Sequence, residues 1–244
     1  MTLEPNLTAT DRDGLYGFED AAARSEGLVI AFTDRRGGES PAPFDSLNLA
    51  LTVGDEPARV ERNRRRAAEA FSLPSLMALA RQVHGAELIE VPGGCSGVVG
   101  EADVLATSAR GQVISILTAD CTPVVVQGTR GVAIAHAGWR GLVAGAIERA
   151  VEWVGEPRGA WVGPCIRACS YEVGPDVIDA FSSRDLPIAD GSHVDPRDAS
   201  LHVLARCGID NAAYTDVCTF CDANFFSYRR DGVTGRQGAF AALL

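Results

Sequence analysis

The sequence predicts an α+β fold, a mixed β-sheet core flanked by helices in one domain. Three observations carry this: short β-type runs crowd between Leu79 and Ala137, one strongly amphipathic helix follows them, and helices are too few to alternate regularly with strands. The 244 residues with 46% hydrophobic content suffice for a substantial single core.

In chain order, residues 1–27 are polar and read as an irregular N-terminal extension, with a single domain spanning 28–244. Leu28-Val-Ile-Ala-Phe32 reads as the first strand, followed by a turn at Asp34-Arg-Arg-Gly-Gly38. Asp55, Glu56 and Pro57 mark a helix start, and the stretch to about Phe71 is rich in Arg, Ala and Glu, which are good helix formers. Its arginines, Arg64 among them, read as a solvated face. Strands are expected at Glu87–Val91, Ala102–Thr107, Gln112–Leu117, Pro123–Gln127 and Gly131–His136. Leu142, Val143, Ala146, Ile147, Ala150, Val151 and Val154 then share one stripe of a helix that packs on the sheet. Trp161 starts another extended segment, Asp176–Phe181 and Ser200–Cys207 read as short helices, and Asn224–Tyr228 as a closing strand.

Twenty-two Lys and Arg against thirty-two Asp and Glu give a formal charge of -10, which repels nucleic-acid backbones and anionic membranes. The N-terminus lacks a basic start with an apolar stretch behind it. No apolar run is long enough to span a bilayer, which takes about 20 residues. A cytoplasmic protein without nucleic-acid or membrane partners is expected. Its seven cysteines, an odd number without an export signal, read as free thiols and a metal ligand rather than a disulfide framework.

Of four histidines, His84 and His136 sit beside glycines at predicted strand ends, and Cys121 occupies a similar edge position before Pro123. Two imidazoles and a thiolate suit zinc, or copper in its reduced state, and three protein ligands leave a fourth position for water or substrate. Their wide separation in sequence leaves buried or hydrogen-bonding side chains as an equal alternative.

The motifs Phe32-Thr-Asp-Arg-Arg-Gly-Gly, Ser46-Leu-Asn-Leu, Val53-Gly-Asp, Asn63-Arg, Gln82-Val-His-Gly, Ala102-Asp, Thr118-Ala-Asp-Cys, His136-Ala-Gly-Trp-Arg-Gly, Gly163-Pro-Cys-Ile, Tyr171-Glu-Val and Phe226-Ser-Tyr-Arg-Arg-Asp run in order from Phe32 to Asp231. Together they resemble the YfiH-like family, also called polyphenol-oxidase-like, laccase-domain or purine nucleoside phosphorylase proteins. The resemblance implies that His84, Cys121 and His136 hold zinc and that the site acts on purine nucleosides. It implies phosphorolysis of inosine, adenosine and methylthioadenosine, and deamination of adenosine.

Phosphorolysis needs an anion beside C1′ of the ribose while positive charge develops on the sugar. Gly138, Arg140 and Gly141 lie between a strand end and a predicted helix start, where free N–H groups favour an anion. Arg64, Arg229 and Asn48 lie in matching motifs and are further candidates, and Asp120 is a candidate base or ligand-orienting group. A surface salt bridge is the plain alternative for Arg140 and Arg64. Trp139 reads as core rather than as a purine-stacking ring.

Two other functions compete. A copper polyphenol oxidoreductase needs several coppers with many histidine ligands, which four histidines do not furnish. A thiol hydrolase would use Cys121 as nucleophile with His136 or His84 as base. Cys218-Thr-Phe-Cys221 has the spacing of a redox or zinc knuckle but lacks a second pair, so near-site thiols are the default. His193 and His202 receive no role.

Overall fold

The computed structural model describes residues 4–74 and 77–244. In chain order the elements are β1 (Thr8–Arg12), β2 (Leu15–Glu19), α1 (Ala21–Ser25), β3 (Leu28–Thr33), α2 (Pro57–Ala70), β4 (Met77–Arg81), β5 (Leu88–Glu90), β6 (Gly97–Glu101), β7 (Val104–Thr107), β8 (Val113–Thr118), β9 (Thr122–Gly128) and β10 (Val132–Ala137). They continue with α3 (Trp139–Ala144), α4 (Ala146–Val154), β11 (Pro157–Val162), α5 (Pro175–Ser183), α6 (Pro196–Arg206), β12 (Ala213–Tyr214), α7 (Tyr228–Asp231) and β13 (Gln237–Leu243). The α+β expectation holds.

The strands form two mixed sheets, in the orders β1-β2-β3-β13-β8-β4-β6 and β12-β11-β9-β10-β7-β5. Alternate residues face opposite sides of a strand. Thus Val124 and Val126 of β9 join Ala133 and Ala135 of β10 in a core with the apolar stripes of α4 and α6. Their neighbours Val125, Val132 and Ile134 point the other way and meet Ile30, Phe32, Ile114 and Ile116 of the first sheet. A third core packs Val29, Ala31 and Phe240 against Ala67 of α2 and Phe71 just beyond it. The layers therefore run α2, first sheet, second sheet, and the helices α3–α6. Strands buried on both faces read as near-continuous Val, Ile and Ala, which made β8 to β10 visible in the sequence.

Several expectations need correction. Of the extension expected to be irregular, residues 1–3 lie outside the described residues, but 8–25 form the edge hairpin β1–β2 and α1. Asp13-Gly14 closes the hairpin with φ of 54° and 80°, the geometry that a two-residue Asp-Gly turn supplies, and Arg12 pairs with Leu15 across it. Asp20 fastens this segment to the core: it caps α1 through Ala23 N–H (2.8 Å) and accepts the indole N–H of buried Trp161 (2.7 Å).

The expected long helix after His136 is two helices, because Gly145 takes φ 89°, which ends α3 and starts α4. Asn224–Tyr228 is not a strand; Ser227 caps the short α7 by accepting from Arg230 N–H. The extended segment expected from Trp161 onward is instead β11, which ends at Val162. The central strand β13, pairing with both β3 and β8, escaped notice because Gly238, Ala239, Ala241 and Ala242 carry no β-branched signal. Among the described residues no helix is long and apolar enough to cross a membrane.

Candidate active site

Two turns and a strand bring His84, Cys121 and His136 together. His84 follows β4, Cys121 lies in the turn between β8 and β9, and His136 is near the end of β10. Because β9 and β10 are antiparallel and in register, His136 pairs with Pro123, two residues from Cys121. One ring nitrogen of each imidazole and the thiol sulfur all lie within 4.8 Å of one another. The rings of His84 and His136 meet edge to face, with centroids 4.9 Å apart.

The turns carrying His84 and Cys121 require unusual backbone. His84 takes φ 63° and Asp120 takes φ 94°, conformations that cost a non-glycine residue free energy unless the surroundings fix them. At His84 the fixing group is Asp103, fully buried. Its carboxylate accepts the backbone N–H groups of Val83 (3.1 Å), His84 (3.0 Å) and Gly85 (2.7 Å). The same carboxylate stands 2.7 Å from Nδ1 of His136, which turns Nε2 toward the cluster and fixes the ring. Gln82 anchors the turn from the other side by pairing its amide with the backbone of Leu117 (2.8 and 3.0 Å). At Asp120 both carboxylate oxygens are engaged, one by the Thr219 hydroxyl and one by the Arg229 N–H, each at 2.7 Å.

The charges of the cluster are interlocked. Burial pushes the Cys121 thiol up, but His136 and then His84 outweigh it and bring the thiol down to about 6. Burial pushes His136 down, but Cys121 and Asp103 outweigh it and hold the imidazole at about 9. At neutral pH without a cation the pair is therefore thiolate and imidazolium. The donor set fits a borderline cation such as zinc: two imidazoles, a thiolate already deprotonated, and one imidazole oriented by a carboxylate behind it.

The other candidates fall into three groups. Arg64 lines the same cavity of about 610 Å³ as the three cluster residues, together with Gln82, Tyr228 and Arg236. It is buried, contrary to the expectation of a solvated arginine face, because Val60, Asn63, Arg64 and Ala67 form the inner stripe of α2. Its Nε donates to the Leu49 carbonyl (2.9 Å), and burial lowers its pKa.

Asn48, Asp120 and Arg229 act within the protein. The Asn48 side chain bonds to Ala50, Asp55 and the Arg236 N–H, so it positions Arg236. Arg229 donates to the Glu172 carbonyl and lies over the Tyr171 ring. Gly138 and Gly141 permit close approach: a Cβ at Gly138 would stand 2.9 Å from Cys121 Sγ, and one at Gly141 2.8 Å from the His136 carbonyl. Exposed Arg140 lies over the ring of Trp139, which packs against the core as expected.

Sequence reasoning gave no role to Asp103, Gln82, Tyr228 or Arg236. Asp103, Gln82 and Tyr228 sit within quoted motifs, so a signal was present for them, whereas Arg236 lies beyond the last one, and only the folded chain shows what each touches. Arg236 forms no ion pair among the described residues, and burial lowers its pKa. A second cavity, of about 380 Å³ between Glu26 and Arg158, contains none of these groups.

Residues 29–244 match the family described as multi-copper polyphenol oxidoreductase laccase. The chain is 38% identical over 232 residues to the purine nucleoside phosphorylase YfiH of Escherichia coli, covering 90% of this chain and 95% of that protein. It is 40% identical over 237 residues to a purine nucleoside phosphorylase of Pseudomonas aeruginosa, covering 87% and 90%. Among solved structures, YlmD of Geobacillus stearothermophilus superposes with a TM-score of 0.87 at 30% identity, covering 98% of this chain and 99% of that one. The YfiH protein of Bacillus licheniformis gives 0.85 at 27% identity, covering 96% and 98%.

Proposed function

This chain belongs to the multi-copper polyphenol oxidoreductase laccase family, and on that premise we propose that it is a zinc-dependent purine nucleoside phosphorylase. The observation that carries the reading is one cavity, of a size suited to a nucleoside, lined by the His84–Cys121–His136 cluster at one part and by Arg64 and Arg236 at another. Two relatives covering most of the chain bear the name purine nucleoside phosphorylase.

His84, Cys121 and His136 would hold the zinc, with Asp103 orienting His136. Bound there, the ion would supply Lewis acidity. Arg64 and Arg236 hold phosphate. Both are desolvated, and Arg236 has no carboxylate partner among the described residues, so an incoming anion replaces no internal ion pair there. Tyr228, 61% exposed at the cavity edge, offers a ring face to the base or ribose. The reading extends to inosine, adenosine and methylthioadenosine, and to adenosine deamination, for which the cavity must also admit water.

The test is release of hypoxanthine from inosine by metal-loaded protein, with and without phosphate. Phosphate-dependent release that disappears in Cys121→Ala is expected, and no release at all would defeat the proposal.

A second reading is favoured by one observation. Cys121, His136 and Asp103 without a cation form a thiolate–imidazolium–carboxylate series, the arrangement of a cysteine nucleophile with its base. Activity that survives complete metal removal would favour this thiol hydrolase over the phosphorylase. A polyphenol oxidoreductase finds less support, because His193 and His202 do not join the cluster.

A further inference from the structure

A second cluster lies outside the cavity. The sulfurs of Cys169, Cys218 and Cys221 are all within 4.8 Å of one another. Those of Cys169 and Cys221 are 3.6 Å apart, and all three cysteines are free. Sulfurs bound 2.3 Å from a tetrahedral cation stand about 3.8 Å apart, so the spacing is that of thiolate ligands rather than of a disulfide.

Two turns build the cluster. Cys218-Thr-Phe-Cys221 is a tight turn closed by the N–H groups of Cys221 (3.1 Å) and Asp222 (2.9 Å) on the Cys218 carbonyl. The turn carrying Cys169 is closed by the Ser170 N–H on the Arg167 carbonyl (2.9 Å). An isolated parallel β-bridge between the backbones of Cys165 and Cys218, with Thr219 N–H on the Cys165 carbonyl (3.0 Å), clips the two segments together. The sequence held only the Cys-x-x-Cys pair; the fold supplies the third thiol.

The environment favours negative sulfur at Cys218 and opposes it at Cys169. Burial raises the Cys218 thiol, but the N–H groups of Cys221 and Arg167 outweigh it and hold it below its ordinary value. Burial and the neighbouring sulfurs push Cys169 up to about 11. Three adjacent thiols ionise together only when a cation offsets their charge.

We propose that Cys169, Cys218 and Cys221 form a second metal site for a thiophilic d10 cation, Zn2+ or Cu+, separate from the cavity. Cys169 and Cys221 are exposed, so ions reach the site from solvent, and the Ser170 hydroxyl stands 3.1 Å from Cys221 Sγ. Binding releases the thiol protons to solvent and involves no electron transfer. The ion ties the 218–222 turn to the 167–170 turn, and so braces Thr219, whose hydroxyl holds Asp120 beside Cys121. The inference does not depend on the phosphorylase reading.

The test uses the full chain with Cys121→Ala, which disables the cavity cluster, reduced and loaded in separate arms with Zn2+ or Cu+ before desalting and elemental analysis. One ion per chain is expected in at least one arm, falling to none when Cys169→Ser and Cys221→Ser are added. Retention in only one arm identifies the ion. No ion in either arm, or equal retention with and without Cys169 and Cys221, overturns the proposal. Because both are surface residues, the serine variants should fold, which circular dichroism checks. An independent measurement is cobalt substitution of the wild-type chain. Its thiolate charge-transfer absorbance should drop to that of a single thiolate in Cys169→Ser/Cys221→Ser.

Discussion

The Asp103 carboxylate stands 2.7 Å from Nδ1 of His136 and simultaneously accepts three N–H groups from the turn that carries His84. One buried side chain thus fixes two of the three cluster residues, one through its ring and the other through its backbone.

Asp103→Asn should weaken zinc binding by about 10- to 100-fold, the usual effect of removing a carboxylate behind a metal-bound imidazole. Chelator competition measures it. An unchanged affinity would show that Asp103 does not orient His136.

Zinc binding should release protons in a pH-dependent way. Cys121, lowered to about 6, is thiolate above that pH, and His136, raised to about 9, is imidazolium below that one. A cation needs thiolate and neutral imidazole, so between about pH 6 and 9 one proton leaves, from His136, and apparent affinity rises about tenfold per pH unit. Above 9 the release vanishes, and below 6 a second proton joins it. Calorimetry in buffers of different ionisation enthalpy reads the number directly.

Arg64→Ala and Arg236→Ala should each raise the KM for phosphate by about 10- to 100-fold, from roughly 1.5–3 kcal/mol per hydrogen bond to a charged group. Steady-state kinetics at saturating nucleoside separates this from an effect on nucleoside binding. Arg140→Ala should leave that KM within about twofold, since Arg140 lies over Trp139 and does not line the cavity.

Gly138→Ala should disrupt the cluster without unfolding the chain. The added methyl would stand 2.9 Å from Cys121 Sγ, and overpacking of this kind costs about 1–3 kcal/mol. Loss of zinc with a thermal midpoint shifted by only a few degrees is the expected pattern.

Removing the metal should abolish base release, because the charge stabilisation it supplies is worth several kcal/mol, a loss of about 100-fold or more. Restoration by added zinc completes the measurement.

The sequence by itself determined the central strands and pointed to three candidate ligands. Val, Ile and Ala runs of β8 to β10 are buried on both faces, so composition alone marks them, and the motifs around His84, Cys121 and His136 identify the ligand candidates through family resemblance. It did not determine what depends on contacts far apart in the chain. β13 is built of small residues whose strand character comes from pairing with β3 and β8. Arg64 looks like one of several surface arginines until α2 packs its inner stripe on the first sheet. Asp103 and Arg236 gain their roles only from neighbours in distant segments, and Cys169 joins Cys218 and Cys221 across 48 residues or more of intervening chain. Local patterning encodes which segments bury apolar surface; the convergence of polar side chains is decided by sheet register and by the turns that register brings together.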